Sequence, residues 1–352
     1  MATNAVATVL QDYVSTYAPG GMDANEQRAS QYGALELFKK QSSGPGSILT
    51  PEIQKAIDST FNTSVKVPVI NYKDVTIGNT RTCALQADGI TTALVTLTAS
   101  TYTFGFLGYP MQHYENYVSY QTATAKLIDA GLKKLAATLD TACVNFLETN
   151  KNQYFPAEML LYYPVTGNAF RVPQASKNDL YNQIGSIMAQ ADYSMDADVL
   201  TNPLGMSLVR RLAAQGANND INQTFQLLGY TWWVSNRVTN GAGVEHTLYL
   251  VAPGAVASAF RNSPDGKAKT RIHESKYWDL FPNAPYVGTA LDVYYQADCA
   301  DASAIQASGM TKFTQTKVES WQFAVDVFLL KYYNSAPTTS YSPIIKVEVL
   351  TA

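Results

Sequence analysis

Three cysteines and three histidines are the side chains of this 352-residue sequence best suited to thiol, metal or proton chemistry. Their spacing supports none of it. Cys83, Cys143 and Cys299 are far apart and odd in number, so they form neither a disulfide framework nor a CxxC pair. They read as small buried apolar residues of a protein in a reducing cytoplasm. His113, His246 and His273 are equally scattered and lack the HExxH or HxH spacing of a zinc or iron site. Asp196 and Asp198 are close enough to pose as the paired carboxylates of an acid–base catalyst, but ahead of Pro203 their expected role is capping and turn formation. Gly241-Ala242-Gly243 lacks the third glycine and the following helix of a dinucleotide loop, and no GxxxxGK[ST] or GxSxG sequence occurs. No catalytic residue, cofactor site or metal site is assigned, and the chain is read as a non-enzyme.

Composition narrows the remaining classes. Lys and Arg number 25 against 28 Asp and Glu, a formal charge of −3, and charged residues make up 15% where about 25% is usual. Arg210-Arg211 is a basic doublet expected on a solvated helix face. The balance gives no reason to expect a reader of nucleic acid, but it does not exclude a protein that encloses it. Apolar residues at 46% can bury a core for roughly two modules. Met1–Leu10 lacks the pattern of a signal peptide, and the most apolar stretch, Trp321–Leu330, is short and contains Asp326. The expectation is a soluble protein made in the cytoplasm, with no membrane partner. Thr, Ser, Asn and Gln stand in place of charge, with 23 tyrosines. That composition fits two readings, a strand-rich protein or an extensive subunit interface.

The chain must position whatever surface it offers through its elements. Residues 1–60 read as an arm with two short helices. Asp23 and Glu26 suggest a capping box before Gln27–Lys40, in which Leu35 and Phe38 mark one face. Thr50 then caps a helix with Pro51 at its first position and Ile53, Ile57 and Phe61 on one side. Residues 61–110 read as a long hairpin, with strands over Val65–Val69 and Thr92–Phe104 and a turn at Gln86-Ala87-Asp88-Gly89. Such a ribbon is marginal alone and needs a partner surface, its own body or another's. Residues 111–191 hold the strongest periodicity: Tyr117, Gln121, Ala125, Ile128, Leu132, Leu135, Leu139, Cys143 and Phe146 recur every three or four positions. A helix from His113 to Asn150 would run about 55 Å at ~1.5 Å per residue, with Lys126, Asp129, Lys133 and Lys134 on its wet side. A capped helix over Ser176–Ala191 follows. Residues 192–310 are mixed: a helix over Pro203–Ala214 with Leu204, Leu208 and Leu212 inward, one or two strands in Phe225–Val238, a buried strand at Leu248–Val251, a short helix over Pro253–Phe260, an exposed turn at Ser263–Gly266 and a strand over Ala290–Gln296. Residues 311–352 close with strands at Ser320–Lys331 and Ile344–Leu350. In the first of these, Trp321, Phe323, Val325, Val327 and Leu329 alternate.

Arm, long hairpin, very long helix, mixed region and returning strands, in that order, resemble the HK97-like major capsid proteins of tailed bacteriophages. The text carrying the resemblance is VKVPVINYKDVTIGNTRTCALQADGITTALVTLTASTYTFGF (65–106) for the E-loop and HYENYVSYQTATAKLIDAGLKKLAATLDTACVNFLETN (113–150) for the spine helix of the P-domain. SLVRRLAAQGANNDINQTFQLLGYTWWVSNRV (207–238) looks like A-domain text. The resemblance implies an α+β fold and a protein that self-assembles through hexamers and pentamers into an icosahedral shell around double-stranded DNA. It also implies a virion location after assembly in the host bacterial cytoplasm, and portal and decoration proteins as partners. Because the chain begins with a short arm, it implies a separate scaffold as well. Lys73, Gln86, Asp88, Ile90 and Tyr102 are the residues expected to touch neighbouring subunits. Lys66, Lys73 and Asn79 lie where some relatives cross-link, but no covalent chemistry is assigned to them. Three other readings remain open: an encapsulin-like compartment shell, a cytoplasmic α/β enzyme without a visible motif, and another virion component such as a tail or baseplate protein.

Overall fold

The computed structural model describes residues 32–44, 46–70, 92–108, 117–216, 230–273, 275–301, 315–333 and 337–351. In chain order they form α1 (Gly33–Ser43), α2 (Pro51–Ser59), β1 (Ser64–Ile70), β2 (Thr92–Thr98), β3 (Ser100–Gly108), α3 (Tyr117–Thr149), α4 (Ala157–Leu160), β4 (Val165–Thr166), β5 (Ala169–Val172), α5 (Lys177–Gln190), β6 (Asp198–Thr201), α6 (Pro203–Gly216), β7 (Thr231–Val234), β8 (Val244–Val251), β9 (Val256–Arg261), α7 (Pro264–Ala268), β10 (Arg271–His273), β11 (Lys276–Phe281), β12 (Leu291–Asp301), β13 (Gln315–Lys331) and β14 (Ile344–Leu350). The α+β class expected from the sequence is the one observed. Two compact units share the chain, one containing Ser100–Leu139 and Phe260–Val327, the other Gly33–Ala99, Asp140–Ala259 and Phe328–Ala352.

The first unit is built on a sheet in the order β10-β11-β12-β13-β3, with β9 pairing β13 off that path. Its buried face is a lattice of in-register aromatics. Tyr277 lies opposite Tyr295, Tyr295 opposite Trp321, and Trp321 opposite Phe106. Phe104 stacks on Phe323 with ring centroids 4.7 Å apart. The first part of α3 lies over this face. Ile128, Leu132, Leu135 and Leu139 are buried at the spacing the sequence predicts. At Gly131 the approach is so close that a Cβ would stand 2.2 Å from the Phe104 ring.

The second unit holds a mixed sheet in the order β4-β5-β14-β8-β6-β7. Its central strands β6, β8 and β14 are largely buried on both sides because both faces are covered. On one face Tyr181 of α5 meets Trp232 and His246, and α6 packs on β8. On the other lie α1, against β6 and β7, and the end of α3, whose Glu148 meets Tyr249 of β8.

Several expectations change in detail. The long helix begins, among the described residues, at Tyr117 and ends at Thr149. Thr92–Phe104 is not one strand. It breaks at Ala99, whose N–H closes the ribbon on the Thr63 carbonyl at 2.8 Å, and β3 then joins β13. Pro253–Phe260 is not a helix: Gly254 takes φ +71° in a tight approach to the Gly46 carbonyl, and Val256–Arg261 continues as a buried strand. A β-branched and small-residue run pairs well in a sheet interior, and the left-handed glycine ends any helical path. Ser263–Gly266 is the start of α7, with the Ser263 hydroxyl accepting the Gly266 N–H, and Gly266 is buried. Ser176 makes no side-chain cap, because a 3-10 turn over Gln174–Ser176 leads into α5. Thr50 does cap α2, but Phe61 falls beyond the helix end and is 83% exposed. Leu204 is exposed on α6, while Met206, Leu208 and Val209 turn inward. In β13 the alternation holds from Trp321 to Val327 and then changes parity, burying Phe328 and Leu330 instead of Leu329. The change falls where the chain passes from the first unit to the second, so this strand buries side chains from both of its faces.

Candidate functional site

The parts of the sequence expected to reach other subunits are the arm and the hairpin, and the second unit shows how each is rooted. The ribbon pairs β1 with β2 antiparallel, Val65 opposite Leu97 and Val67 opposite Val95. Alternation then splits it cleanly. Val65 and Val67 are buried and Val95 and Leu97 half-buried, while Ser64, Lys66, Leu94, Thr96 and Thr98 face solvent. The buried side completes an apolar cluster with Ile57 of α2, Ala257 and Ala259 of β9, and Phe328 and Leu330 of β13. Beside it opens a cleft of about 610 Å³, walled by Ile48, Ile53, Val67, Leu97, Leu330 and Tyr332 among others. The base of the hairpin therefore belongs to the core of its own chain. No third strand joins β1 and β2 among the described residues, and Leu94 on the outer face is 68% exposed.

Helix α1 is held by two carboxylates. Asp140 projects from α3 into the interior, where its Oδ1 accepts the Leu35 N–H at 3.0 Å and its Oδ2 accepts the Ser235 hydroxyl. It thus supplies the acceptor that the first turn of α1 needs. Burial pushes its carboxyl above the usual range, against the hydrogen bonds from Ser235 and Leu35 and the charge of Arg237. Asp198, at the start of β6, accepts from Lys40 Nζ at 2.7 Å, Trp233 Nε1 at 3.1 Å and Gln41 Nε2 at 3.0 Å. Gln41 also donates to the Ala252 carbonyl and accepts the Val256 N–H. The capping role expected for Asp198 is thereby corrected. It is a buried strand residue tying the last turn of α1 to the sheet, and the side chain that caps α6 is Asn202, accepting the Gly205 N–H at 2.9 Å. Asp196 does sit in a turn, its N–H donating to the Ser194 hydroxyl.

The end of α3 is fastened similarly. Glu148 accepts from the Tyr249 hydroxyl at 2.6 Å and from Lys346 at 3.0 Å, with Lys151 beside it, and Lys346 also meets Glu348 at 2.9 Å. Burial raises the Glu148 carboxyl, but hydrogen bonds from Lys151, Tyr249 and Lys346 outweigh it and hold the group down to about 2. His246, wedged against Tyr181 at 3.3 Å, is held below its ordinary range by burial. Cys143 is buried, and its thiol is pushed far up by burial and by Asp140. These are structural environments, with no nucleophile poised beside a base.

Of the residues expected to touch neighbours, Lys73, Gln86, Asp88 and Ile90 lie outside the described residues. Tyr102 is half-buried in β3 opposite Val325, so it belongs to the sheet of the first unit and not to the hairpin. Asp140 and Glu148 escaped the sequence reading. The available signals were a lone acid within the apolar stripe of α3, and Lys346 and Glu348 alternating through the otherwise apolar IIKVEVL. Among the described residues no helix is long and apolar enough to cross a membrane, and no three His, Cys, Asp or Glu side chains gather as for a metal ion.

No protein-family model and no curated protein sequence matches the chain. Solved structures do. The capsid of a native GTA particle is 11% identical, with 83% of this chain and 86% of that one covered at a TM-score of 0.46. The capsid of Ralstonia phage GP4 is 9% identical over 82% and 84%, at 0.44. The capsid of the cyanophage P-SCSP1u is 12% identical over 84% and 85%, at 0.43. At such identity no residue's role carries over to this chain.

Proposed function

We propose that this chain is a major capsid protein with an HK97-like fold. Its copies assemble through hexamers and pentamers into an icosahedral virion shell that encloses double-stranded DNA in the host cytoplasm. Scaffold, portal and decoration proteins are the partners this reading calls for. The role is physical and not catalytic: a subunit offers a rigid body and an extension, and many modest repeated contacts close a symmetric lattice.

The observation that carries this reading is the ribbon. It is anchored by Val65 and Val67 in its own core, yet among the described residues β1 and β2 gain no third strand, and Leu94 on the outer face is exposed. Two-stranded ribbons are marginal in water, and open edges invite pairing. A surface on a neighbouring copy supplies what the chain's own body does not. The low charge and abundant Tyr, Thr and Asn suit faces that are wet before assembly and buried after it.

Deleting residues 86–90 tests the reading. The shortened chain should keep its melting temperature, because Val65 and Val67 remain in place, while closed particles disappear from negative-stain images. Normal shells from the shortened chain would overturn the arm role. A wild-type chain that stays a compact oligomer under every assembly condition would favour an enzyme, and native particles filled with protein and free of DNA an encapsulin-like compartment.

A further inference from the structure

Two adjacent leucines stand out on the surface of the second unit. Leu161 is 85% exposed, and Leu160, the last residue of α4, is 47% exposed. Their backbone is fixed: the Leu160 N–H donates to the Pro156 carbonyl at 3.3 Å and the Tyr162 N–H to the Met159 carbonyl at 3.2 Å. Met159 and Tyr163 on either side are buried, and the Phe155 ring packs edge-on against Phe170 at 5.2 Å. The same unit holds the open cleft of about 610 Å³ beside the ribbon. Lys331 is the one charged side chain among the described residues of its wall. It donates to the neutral Asn150 Oδ1 at 2.6 Å, and partial burial holds its ammonium below the ordinary range. Nearby, Lys151 is taken up by Glu148, and Glu52 is exposed next to Ile53 but outside the wall. The leucine turn carries the opposite sign. Glu158 is exposed on it, Asp179 adds to burial in raising the Tyr163 phenol, and Lys177 is turned to Glu245 at 3.2 Å.

We propose that the Leu160–Leu161 turn of one copy seats in this cleft on a second copy, with Glu158 set against Lys331. Calling it one of the contacts that close a lattice rests on the shell reading; the contact itself needs only two copies. Within one chain the two surfaces do not meet, because Leu161 is exposed while the cleft lies open in the same unit. A second copy brings what the cleft lacks: apolar side chains on a turn already fixed, which lose little freedom on docking, and a carboxylate for a cation whose partner is a neutral amide. Two different surfaces meeting in this way make a heterologous contact, the type that propagates into rings and larger assemblies.

The test mixes two full-length chains, Leu161→Cys and Ile53→Cys, each also carrying Cys83→Ser and Cys299→Ser, under assembly conditions with a short bismaleimide. A covalent dimer should form from the mixture and from neither chain alone. Glu158→Lys and Lys331→Glu, each placed in both chains, should keep the melting temperature and cut the dimer yield at least about tenfold by setting like charges together. The two reversals combined should recover it. No dimer from folded chains overturns the proposal, and so does a yield that ignores the reversals or is not recovered by combining them. A benzophenone side chain at position 53 whose cross-links map to residues 1–31 overturns it in favour of the arm as occupant. Dimers from a chain that never closes particles keep this contact and overturn the shell reading alone, whereas closed particles without the dimer overturn this contact alone.

Discussion

Asp140, deep in the long helix α3, accepts the backbone N–H of Leu35 at 3.0 Å across 105 residues of sequence. A carboxylate of one helix thereby terminates another, and the Ser235 hydroxyl occupies its second oxygen. Replacing it with alanine strands two buried donors, and each costs about 1–3 kcal/mol. Asp140→Ala should therefore lower the melting temperature by several degrees and abolish hydrogen-exchange protection over residues 33–43. Asp140→Asn keeps an acceptor for Leu35 and should cost much less. Wild-type stability and protection in the alanine variant would show that α1 is held by its apolar side chains alone.

Two carboxyls in the second unit should bend the pH–stability curve in opposite directions. Glu148 is held down to about 2, below the unfolded value of about 4.3, so its contribution is complete above that value and lost as pH falls toward 2. Asp140 is raised, so its contribution is complete below the unfolded value of about 3.9 and lost as pH rises through its folded value. Urea titrations across a pH series should show Glu148→Gln flattening the acid limb and Asp140→Asn removing the loss at higher pH. Parallel curves for all three proteins would refute the assignment.

Gly131 is where α3 meets the first unit's sheet, and an alanine Cβ would stand 2.2 Å from the ring of Phe104, itself stacked on Phe323. Alanine gains about 1 kcal/mol of helix propensity, but overpacking costs about 1–3 kcal/mol, so Gly131→Ala should destabilise. Phe104→Leu in the same chain should recover part of that loss. A double-mutant cycle with no coupling would mean the two residues do not pack together.

Leu132 is fully buried in the middle of the 33-residue helix. A proline there removes a helical hydrogen bond and clashes with the preceding turn, at a cost of about 3 kcal/mol or more. Leu132→Pro should be insoluble or lose helical circular dichroism. A soluble variant melting like wild type would rule out a continuous helix through this position.

The long helix was legible in advance because one face of it carries apolar residues every three or four positions from Ala125 to Leu147, and burial of such a face dominates the energetics wherever it packs. The same holds for β14, expected at Ile344–Leu350 and found at those residues, and for the Val65 and Val67 side of the ribbon, where alternation leaves one register with these two valines inside. Local chemistry was legible as well: Thr50-Pro51 announces the start of α2 through a hydroxyl acceptor and a ring that costs no hydrogen bond.

What the sequence alone did not determine depends on partners far along the chain. Pro253–Phe260 carries small residues that suit helix or strand, and pairing with β13 together with the left-handed Gly254 decided for the strand. The break at Ala99 separates two threonine-rich stretches of the same texture, and only the sheet that each joins divides them. Asp198 looks in sequence like any turn aspartate. Its role was decided by Lys40, Gln41 and Trp233 arriving from distant segments, since a buried carboxylate is tolerated only where donors meet it. Patterns of burial repeat along a chain and can be read from it, whereas the pairing of single polar groups has no period and exists only once the tertiary structure has formed.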